Sequence, residues 1–125
     1  MESRPLISII MAVKDTGSYL TECLDSILLQ TYEYWELIAV NDHSSDDSWE
    51  RLIEYAQRDK RIRIFQSTGQ RLNSALKEGY KNCRGTLINR MDSDDRMPLD
   101  KLEAMLKVWI LHGKGVVVAG GGSHF

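Results

Sequence analysis

Three carboxylates stand within four residues, Asp92-Ser93-Asp94-Asp95, directly after a strand-like run over residues 86–91. Charges of one sign packed this tightly repel one another unless a cation or a charged ligand offsets them. Divalent ions such as Mg²⁺ and Mn²⁺ prefer carboxylate oxygens and often keep phosphate oxygens as their remaining ligands. The tetrad therefore predicts a metal-and-phosphate site, and the structural alternative is an acidic turn that caps the following helix.

Polar residues also follow the other predicted strands. Because the loops after parallel strands share one edge of a sheet, these residues are expected to gather there, where α/β proteins bind ligands. Two acidic clusters at one edge indicate a shared cationic partner, and a metal-bridged phosphate ligand satisfies both. The residues concerned are Lys14, Asp15, Asp42, His43, Ser44, Ser45, Asp46, Asp47, the run 66–71 and the tetrad itself.

Apolar residues along the chain alternate between strand-like and helix-like spacing. Ser18, the run 44–46 and Pro98 are predicted to begin the first, second and fourth helices, through N-caps and a first-turn proline. Strands alternating with helices predict one α/β domain over residues 1–125, with a mostly parallel sheet covered by helices on both faces. The third strand alternates cleanly and is expected near an edge of the sheet. The predicted strands cover residues 6–13, 35–41, 61–66, 86–91 and 116–119.

The composition and the motifs that are missing exclude several classes of function. A formal net charge of −2 provides no basic field for nucleic acid or an anionic membrane. The N-terminal apolar run is too short to cross a bilayer, and no P-loop or G-x-G-x-x-G motif follows the first strand. Cys23 and Cys83 are expected as free thiols of a cytoplasmic protein. His43, His112 and His124 lack metal-ligand spacing.

Blocks of the sequence, in order, resemble the family 2 glycosyltransferases of GT-A fold. Met91-Asp92-Ser93-Asp94-Asp95, followed by Pro98 and Lys101-Leu102, looks like that family's D-x-D segment and the helix after it. The likeness covers essentially the whole chain, which is more specific than any one block. The remaining blocks are residues 7–15, 23–32 and 35–46.

The resemblance implies a donor-nucleotide site at the ends of the first two strands. The carboxylate of Asp42, which can only accept hydrogen bonds, would bind the imide N–H of a uracil ring. Ala12, Val13 and Asp15 would line the same pocket, with Ser44 in support. The structural alternative for Asp42 is an N-terminal helix cap.

The resemblance also implies a separate role for each carboxylate of the acidic tetrad. Asp92 would face the ribose and the donor sugar, and Asp94 would bind the Mn²⁺ or Mg²⁺ that bridges the diphosphate. Asp95 would orient Asp94 or the sugar hydroxyls. Arg71 would reach the base or the diphosphate, with a solvated side chain as the alternative.

The implied function is metal-dependent, inverting transfer of a sugar from a nucleoside-diphosphate sugar, with UDP expected, to an acceptor hydroxyl. The acceptor would be a saccharide, a lipid-linked saccharide or a protein. The glycine run 120–122 ends without a closing element, which indicates a truncated chain, with the acceptor portion and the catalytic base beyond residue 125.

Two alternative functions remain open, and so does the oligomeric state. One alternative is an inactive nucleotide-binding fragment or assembly module. The other is a phosphotransferase of the haloacid dehalogenase type, whose D-x-D-x-[TV] run is matched by the tetrad except at Arg96. A homodimer through an exposed last strand and Trp109 is a further expectation.

Overall fold

The computed structural model describes residues 4–69 and 72–111. Within these residues strands and helices alternate strictly, as predicted, and none of the helices is long and apolar enough to cross a membrane. The predicted fifth strand, residues 116–119, lies outside them. The elements are β1 (Ile7–Val13), α1 (Gly17–Leu28), β2 (Trp35–Asn41), α2 (Ser48–Arg58), β3 (Ile62–Gln66), α3 (Leu72–Lys81), β4 (Leu87–Arg90) and α4 (Lys101–Leu111).

The four described strands form one sheet in the order β3-β2-β1-β4, and all neighbours are parallel. In register, Val13 at the end of β1 lies beside Asn41 of β2, and Ile10 lies beside Arg90 of β4. β3 lies at an edge, as its alternating sequence predicts. The central position of β1 places the ends of β2 and β4 on either side of its own end.

The helices lie on both faces of the sheet, which confirms the predicted layers. The chain moves in one direction across the sheet from β1 to β3 and then returns to β4, so right-handed crossovers put α3 on the face opposite α1 and α2. Successive residues of β1 point alternately toward the helices on one face of the sheet and toward those on the other face. One core joins Ile7, Ile9, Met11 and Val13 to α1, α2 and α4, and a smaller one joins Ile38 and Val40 to Ala75 of α3.

The predicted starts of α1 and α4 are wrong. The residue before α1 is Thr16, not Ser18, and the N–H of Gly17 donates to a neighbouring helix, to Ser48 Oγ at 3.3 Å. α4 begins at Lys101 rather than at Pro98. Side chains from other elements satisfy the backbone before each helix, so the local capping signals do not decide where the helices begin.

A buried carboxylate joins three strands at the amino edge of the sheet. Glu36 Oε2 accepts hydrogen bonds from Ser8 Oγ at 2.6 Å and from the Arg84 N–H at 2.7 Å, while Oε1 pairs with Arg63 at 3.1 Å. Ser8 Oγ in turn accepts the Gly85 N–H at 2.8 Å, where a Cβ on Gly85 would lie only 2.5 Å from the same oxygen. Glu36 is therefore fully partnered and has a structural role.

Replacement of Glu36 tests this network. Glu36→Ala leaves the Arg63 guanidinium and the Ser8 hydroxyl without their buried acceptor, and we expect it to lower the free energy of unfolding by about 3 kcal/mol. The matched control is Glu54→Ala, which breaks an exposed pair with Arg58 and should cost about 0.5 kcal/mol or less. Urea unfolding measures both. Equal losses in the two variants would contradict the assigned role.

Candidate functional site

The ends of β1, β2 and β4 lie side by side at the carboxyl edge of the sheet. The chain runs outward from β1 to β3 and then returns to β4, so the strand order changes direction between the neighbours β1 and β4. Open α/β sheets bind ligands in the crevice at such a point. The N–H of Met91 donates to Ile10 O at 2.9 Å, and the N–H of Asp42 donates to Val13 O at 2.7 Å. Since neighbouring strands are about 4.8 Å apart, the loops after β2 and β4 face each other across roughly 10 Å.

Asp42 follows β2 and is buried without a partner. It is 4% exposed, and its Oδ1 has no hydrogen-bond partner among the described residues. α2 begins six residues later at Ser48, so the helix-cap alternative is wrong. A buried acceptor without a donor is costly in a ligand-free protein. The carboxylate is therefore available to a donor group of a ligand.

Asp15 has a different environment from the one expected for a pocket residue. Its Oδ1 accepts the N–H of Ser45 at 2.6 Å and the N–H of Asp46 at 3.3 Å, and its own N–H donates to Ser44 Oγ at 3.1 Å. Ser44 Oγ also donates to Val13 O at 3.4 Å. Asp15 thus joins the loop after β1 to the loop after β2, in a left-handed backbone conformation with φ of 51°.

The loop after β2 also contacts the loop after β3. His43, with φ of 58°, lies 2.5 Å through Nε2 from the carbonyl oxygen of Gly69, and Asn41 donates to the Gln66 side chain at 2.8 Å. Ala12 and Val13 lie at the end of β1 beside these loops. Arg71 falls outside the described residues. Loops from β1, β2 and β3 therefore form one connected rim.

The N-cap of α2 is Asp47 and not a residue of the predicted run 44–46, and Asp46 lies one residue before it. Asp46 Oδ1 accepts the Ser48 N–H at 2.9 Å, and the hydrogen bonds from Ser48 lower the pKa of the Asp46 carboxyl. Asp47 forms an exposed pair with Arg51. These two acids belong to the helix start and not to the ligand crevice.

The acidic tetrad forms a turn after β4, in which the Asp95 N–H donates to Asp92 O at 3.1 Å. The carboxylates of Asp92 and Asp94 are exposed and form no hydrogen bond or ion pair within the described residues. α4 begins six residues after Asp95, so the tetrad does not cap that helix.

The tetrad suits a divalent cation that takes its remaining ligands from a bound phosphate group. No three His, Cys, Asp or Glu side chains converge on a common point within residues 4–69 and 72–111. One or two free carboxylates, with other oxygens supplied by a phosphate ligand, are the usual donor set for Mg²⁺ or Mn²⁺ bound with a nucleotide. The hard oxygen donors therefore suit the ion that the sequence predicts.

The charge of the tetrad acts on the nearest thiol. Burial, and then the carboxylates of Asp95, Asp94 and Asp92, raise the pKa of Cys23 to about 12. Both Cys23 and Cys83 are free, as predicted. The Cys23 thiol therefore stays neutral beneath the acidic turn, where it packs and does not react.

Two residues of this region lie in the block 23–32 that resembles the family, but the sequence does not predict a role for them. Ser26 on α1 and Gln30 just beyond it contact the backbone that follows the tetrad, at Met97 and Pro98. The available signal is the placement of polar residues four apart on a helix face that otherwise carries Cys23 and Ile27. That pattern indicates buried polar contacts but does not name their partners.

Comparison with known proteins gives a family for the chain. The model of glycosyl transferase family 2 matches residues 8–125. A glycosyltransferase named EpsJ from Bacillus subtilis, whose function is uncharacterised, is 43% identical over 91 residues, which cover 73% of this chain and 26% of that protein. Glycosyltransferase GlyA of Streptococcus pneumoniae is 37% identical over 101 residues, covering 81% of this chain and 14% of GlyA. The chain thus spans about a quarter or less of these relatives.

Solved structures share the fold. TarS of Staphylococcus aureus in complex with UDP-GlcNAc has a TM-score of 0.75 at 24% identity, over 86% of this chain and 32% of that one. A mannosyltransferase of Pyrobaculum calidifontis in complex with GDP-Man and Mn²⁺ has a TM-score of 0.76 at 20% identity, over 86% and 33%. These matches confirm the predicted α/β architecture of GT-A type.

The unpartnered Asp42 should reduce the stability of the ligand-free protein. Asp42→Asn replaces a buried charge by a neutral group of the same shape, so we expect the free energy of unfolding to rise by about 1 kcal/mol. Asp47→Asn removes an exposed charge from the same edge and should change it by less than about 0.5 kcal/mol. Urea unfolding without nucleotide measures both variants. A destabilised Asp42→Asn protein would show that the carboxylate has a partner in the fold.

Proposed function

Because the chain belongs to glycosyl transferase family 2, we propose that it supplies the donor-nucleotide portion of a glycosyltransferase. The proposed reaction is the transfer of a sugar from a UDP-sugar to an acceptor hydroxyl. The observation that carries the proposal is the buried, unpartnered Oδ1 of Asp42, across the end of β1 from the free carboxylates of the tetrad. One site would accept hydrogen bonds from a base and the other would bind a cation, and the loops that carry them lie roughly 10 Å apart across β1.

Asp42 is the proposed base-recognition residue. A carboxylate accepts the imide N–H of uracil, and the peptide groups of Ala12 and Val13 line the same strand end. Ser44 and Asp15 support this pocket by fixing the loops around it. A carboxylate also matches the adjacent N–H donors of guanine, so GDP is the ligand that tests the choice of base.

The tetrad is the proposed binding site for the diphosphate and its metal. Asp94 would hold Mn²⁺ or Mg²⁺, Asp92 would face the ribose and sugar, and Asp95 would orient its neighbours. The bound ion would offset charge on the departing diphosphate. Arg71 is proposed as a further contact to the base or the diphosphate. The mannosyltransferase neighbour, whose complex contains Mn²⁺, supports the use of a divalent ion.

Transfer with inversion requires groups on the acceptor side. The acceptor oxygen forms a bond to the anomeric carbon as the bond from that carbon to the diphosphate oxygen breaks, and a carboxylate base takes the hydroxyl proton. We propose that this base and the acceptor site lie beyond residue 125, since the chain spans a minor part of its relatives. The acceptor class, a cytoplasmic location and a homodimer stay predictions.

A non-catalytic nucleotide-binding module is the second candidate, because the chain covers so little of each relative. It shares the donor site and differs only in turnover. The family match disfavours the phosphotransferase alternative, and the tetrad follows β4 rather than the first strand.

Calorimetric titration with UDP, with and without Mn²⁺, tests the donor site. We expect UDP to bind and Mn²⁺ to strengthen binding, because Asp94 would hold an ion that offsets the charge of the diphosphate. Asp94→Ala should remove the Mn²⁺ effect and leave metal-free binding intact. Asp42→Asn should weaken UDP binding about tenfold in both conditions, because an acceptor is lost.

Asp47→Asn is the control, since it removes a charge of the same edge outside the crevice. No UDP binding at millimolar concentration would refute the donor site. Equal Mn²⁺ effects in the wild type and Asp94→Ala would refute the metal assignment. Tighter binding of GDP than of UDP would overturn the choice of base. Release of UDP from a UDP-sugar, measured separately, distinguishes an enzyme from a binding module.

A further inference from the structure

We propose that Ser26 and Gln30 are positioning residues that hold the acidic tetrad in the geometry needed to bind metal and diphosphate. The role rests on the proposed function, because it concerns the same site. The contacts that carry it run from α1 to the backbone between the tetrad and α4. They join residues 68 to 72 positions apart in the chain.

Gln30 uses both ends of a buried amide. It is 4% exposed, its Nε2 donates to the carbonyl oxygen of Pro98 at 2.5 Å, and its Oε1 accepts the N–H of Leu102 at 3.1 Å. The same Nε2 lies 3.3 Å from Ser26 O. Gln30 therefore fixes both the segment that leaves the tetrad and the first turn of α4.

Ser26 makes the contact closest to the tetrad on its C-terminal side. Its Oγ donates to Cys23 O at 2.7 Å and accepts the N–H of Met97 at 2.9 Å, two residues after Asp95. On the other side, Cys23 Sγ lies 3.7 Å from Asp92 O. The turn is thus held to α1 at both of its ends.

These contacts supply hydrogen bonds to backbone groups that lie outside any helix or strand. Residues 95–98 lie in neither a helix nor a strand, and Met97 is buried. A buried backbone group without a partner is costly, so the segment stays where the α1 side chains can satisfy it. Since α1 packs on β1 through the main core, the tetrad takes its position from the sheet.

The contacts of Ser26 and Gln30 lie beside the acidic tetrad, where the metal would bind, and not beside Asp42, where the base would bind. None of the bonds from Ser26 or Gln30 goes to Asp42 or to the loops after β1 and β2 within the described residues. A positioning role therefore predicts a selective effect. Outer contacts of this kind typically change metal affinity about tenfold or more.

The experiment measures the factor by which Mn²⁺ strengthens UDP binding, in the wild type, Ser26→Ala, Gln30→Met and Ser26→Thr. We expect Ser26→Ala and Gln30→Met to reduce that factor about tenfold and to leave metal-free UDP affinity unchanged. Ser26→Thr keeps the hydroxyl and should restore most of it. All titrations are run well below each variant's unfolding temperature.

Thr31→Val is the matched control. Its hydroxyl donates to Glu103 of α4 at 2.8 Å and not to the backbone after the tetrad. Its backbone N–H donates to Leu99 O at 2.9 Å, and the substitution keeps that bond. We expect the Mn²⁺ factor to stay at the wild-type value in this variant. A loss in Thr31→Val equal to that in Gln30→Met would show that α4 docking in general, and not the two proposed residues, is responsible.

A second readout needs no ligand. Ser26→Ala should speed hydrogen exchange at the Met97 amide, and Gln30→Met should do so at Leu102, in the metal-free protein. Unchanged exchange, or an unchanged Mn²⁺ factor in both variants, would overturn the positioning role while the donor site stands. Failure of the wild type to bind UDP would overturn the proposed function itself.

Discussion

The central position of β1 in the described sheet determines which loops can meet. β1 is hydrogen-bonded to β2 on one side and to β4 on the other, so the two acidic loops can only meet at its carboxyl end. The return of the chain from β3 to β4 fixes this arrangement and puts α3 on the opposite face from α1 and α2. The crevice of the candidate site is a consequence of strand order and not of any one loop.

Two buried carboxylates show how the same chemical group takes different roles at the two edges. Glu36 at the amino edge has partners for both oxygens, including the backbone N–H of Arg84, and stabilises the junction of three strands. Asp42 at the carboxyl edge is as deeply buried, yet its Oδ1 has no partner among the described residues. The fold thus satisfies the carboxylate of Glu36, whereas it leaves one oxygen of Asp42 available to a ligand.

In and after the acidic tetrad, the side chains available to a ligand are separate from the backbone groups that attach the segment to the fold. Its exposed carboxylates, Asp92 and Asp94, are left free by the fold, while the segment after it is tied to Ser26 and Gln30. A flexible acidic turn would lose entropy when it ordered around a cation, and prior attachment to α1 reduces that cost.

Sequence patterns were sufficient to predict the alternation of strands and helices, the helices on both faces, the edge position of β3 and the family. These follow from apolar periodicity and ordered motifs, which are local. Tertiary structure alone decided the starts of α1 and α4, the use of Asp15 as a link between loops, and the contacts of Ser26 and Gln30. Their partners lie far along the chain, for example Ser45, 30 residues from Asp15, and Met97, 71 residues from Ser26. Only the strand order brings such pairs together, because a hydrogen bond depends on distances that no local pattern records.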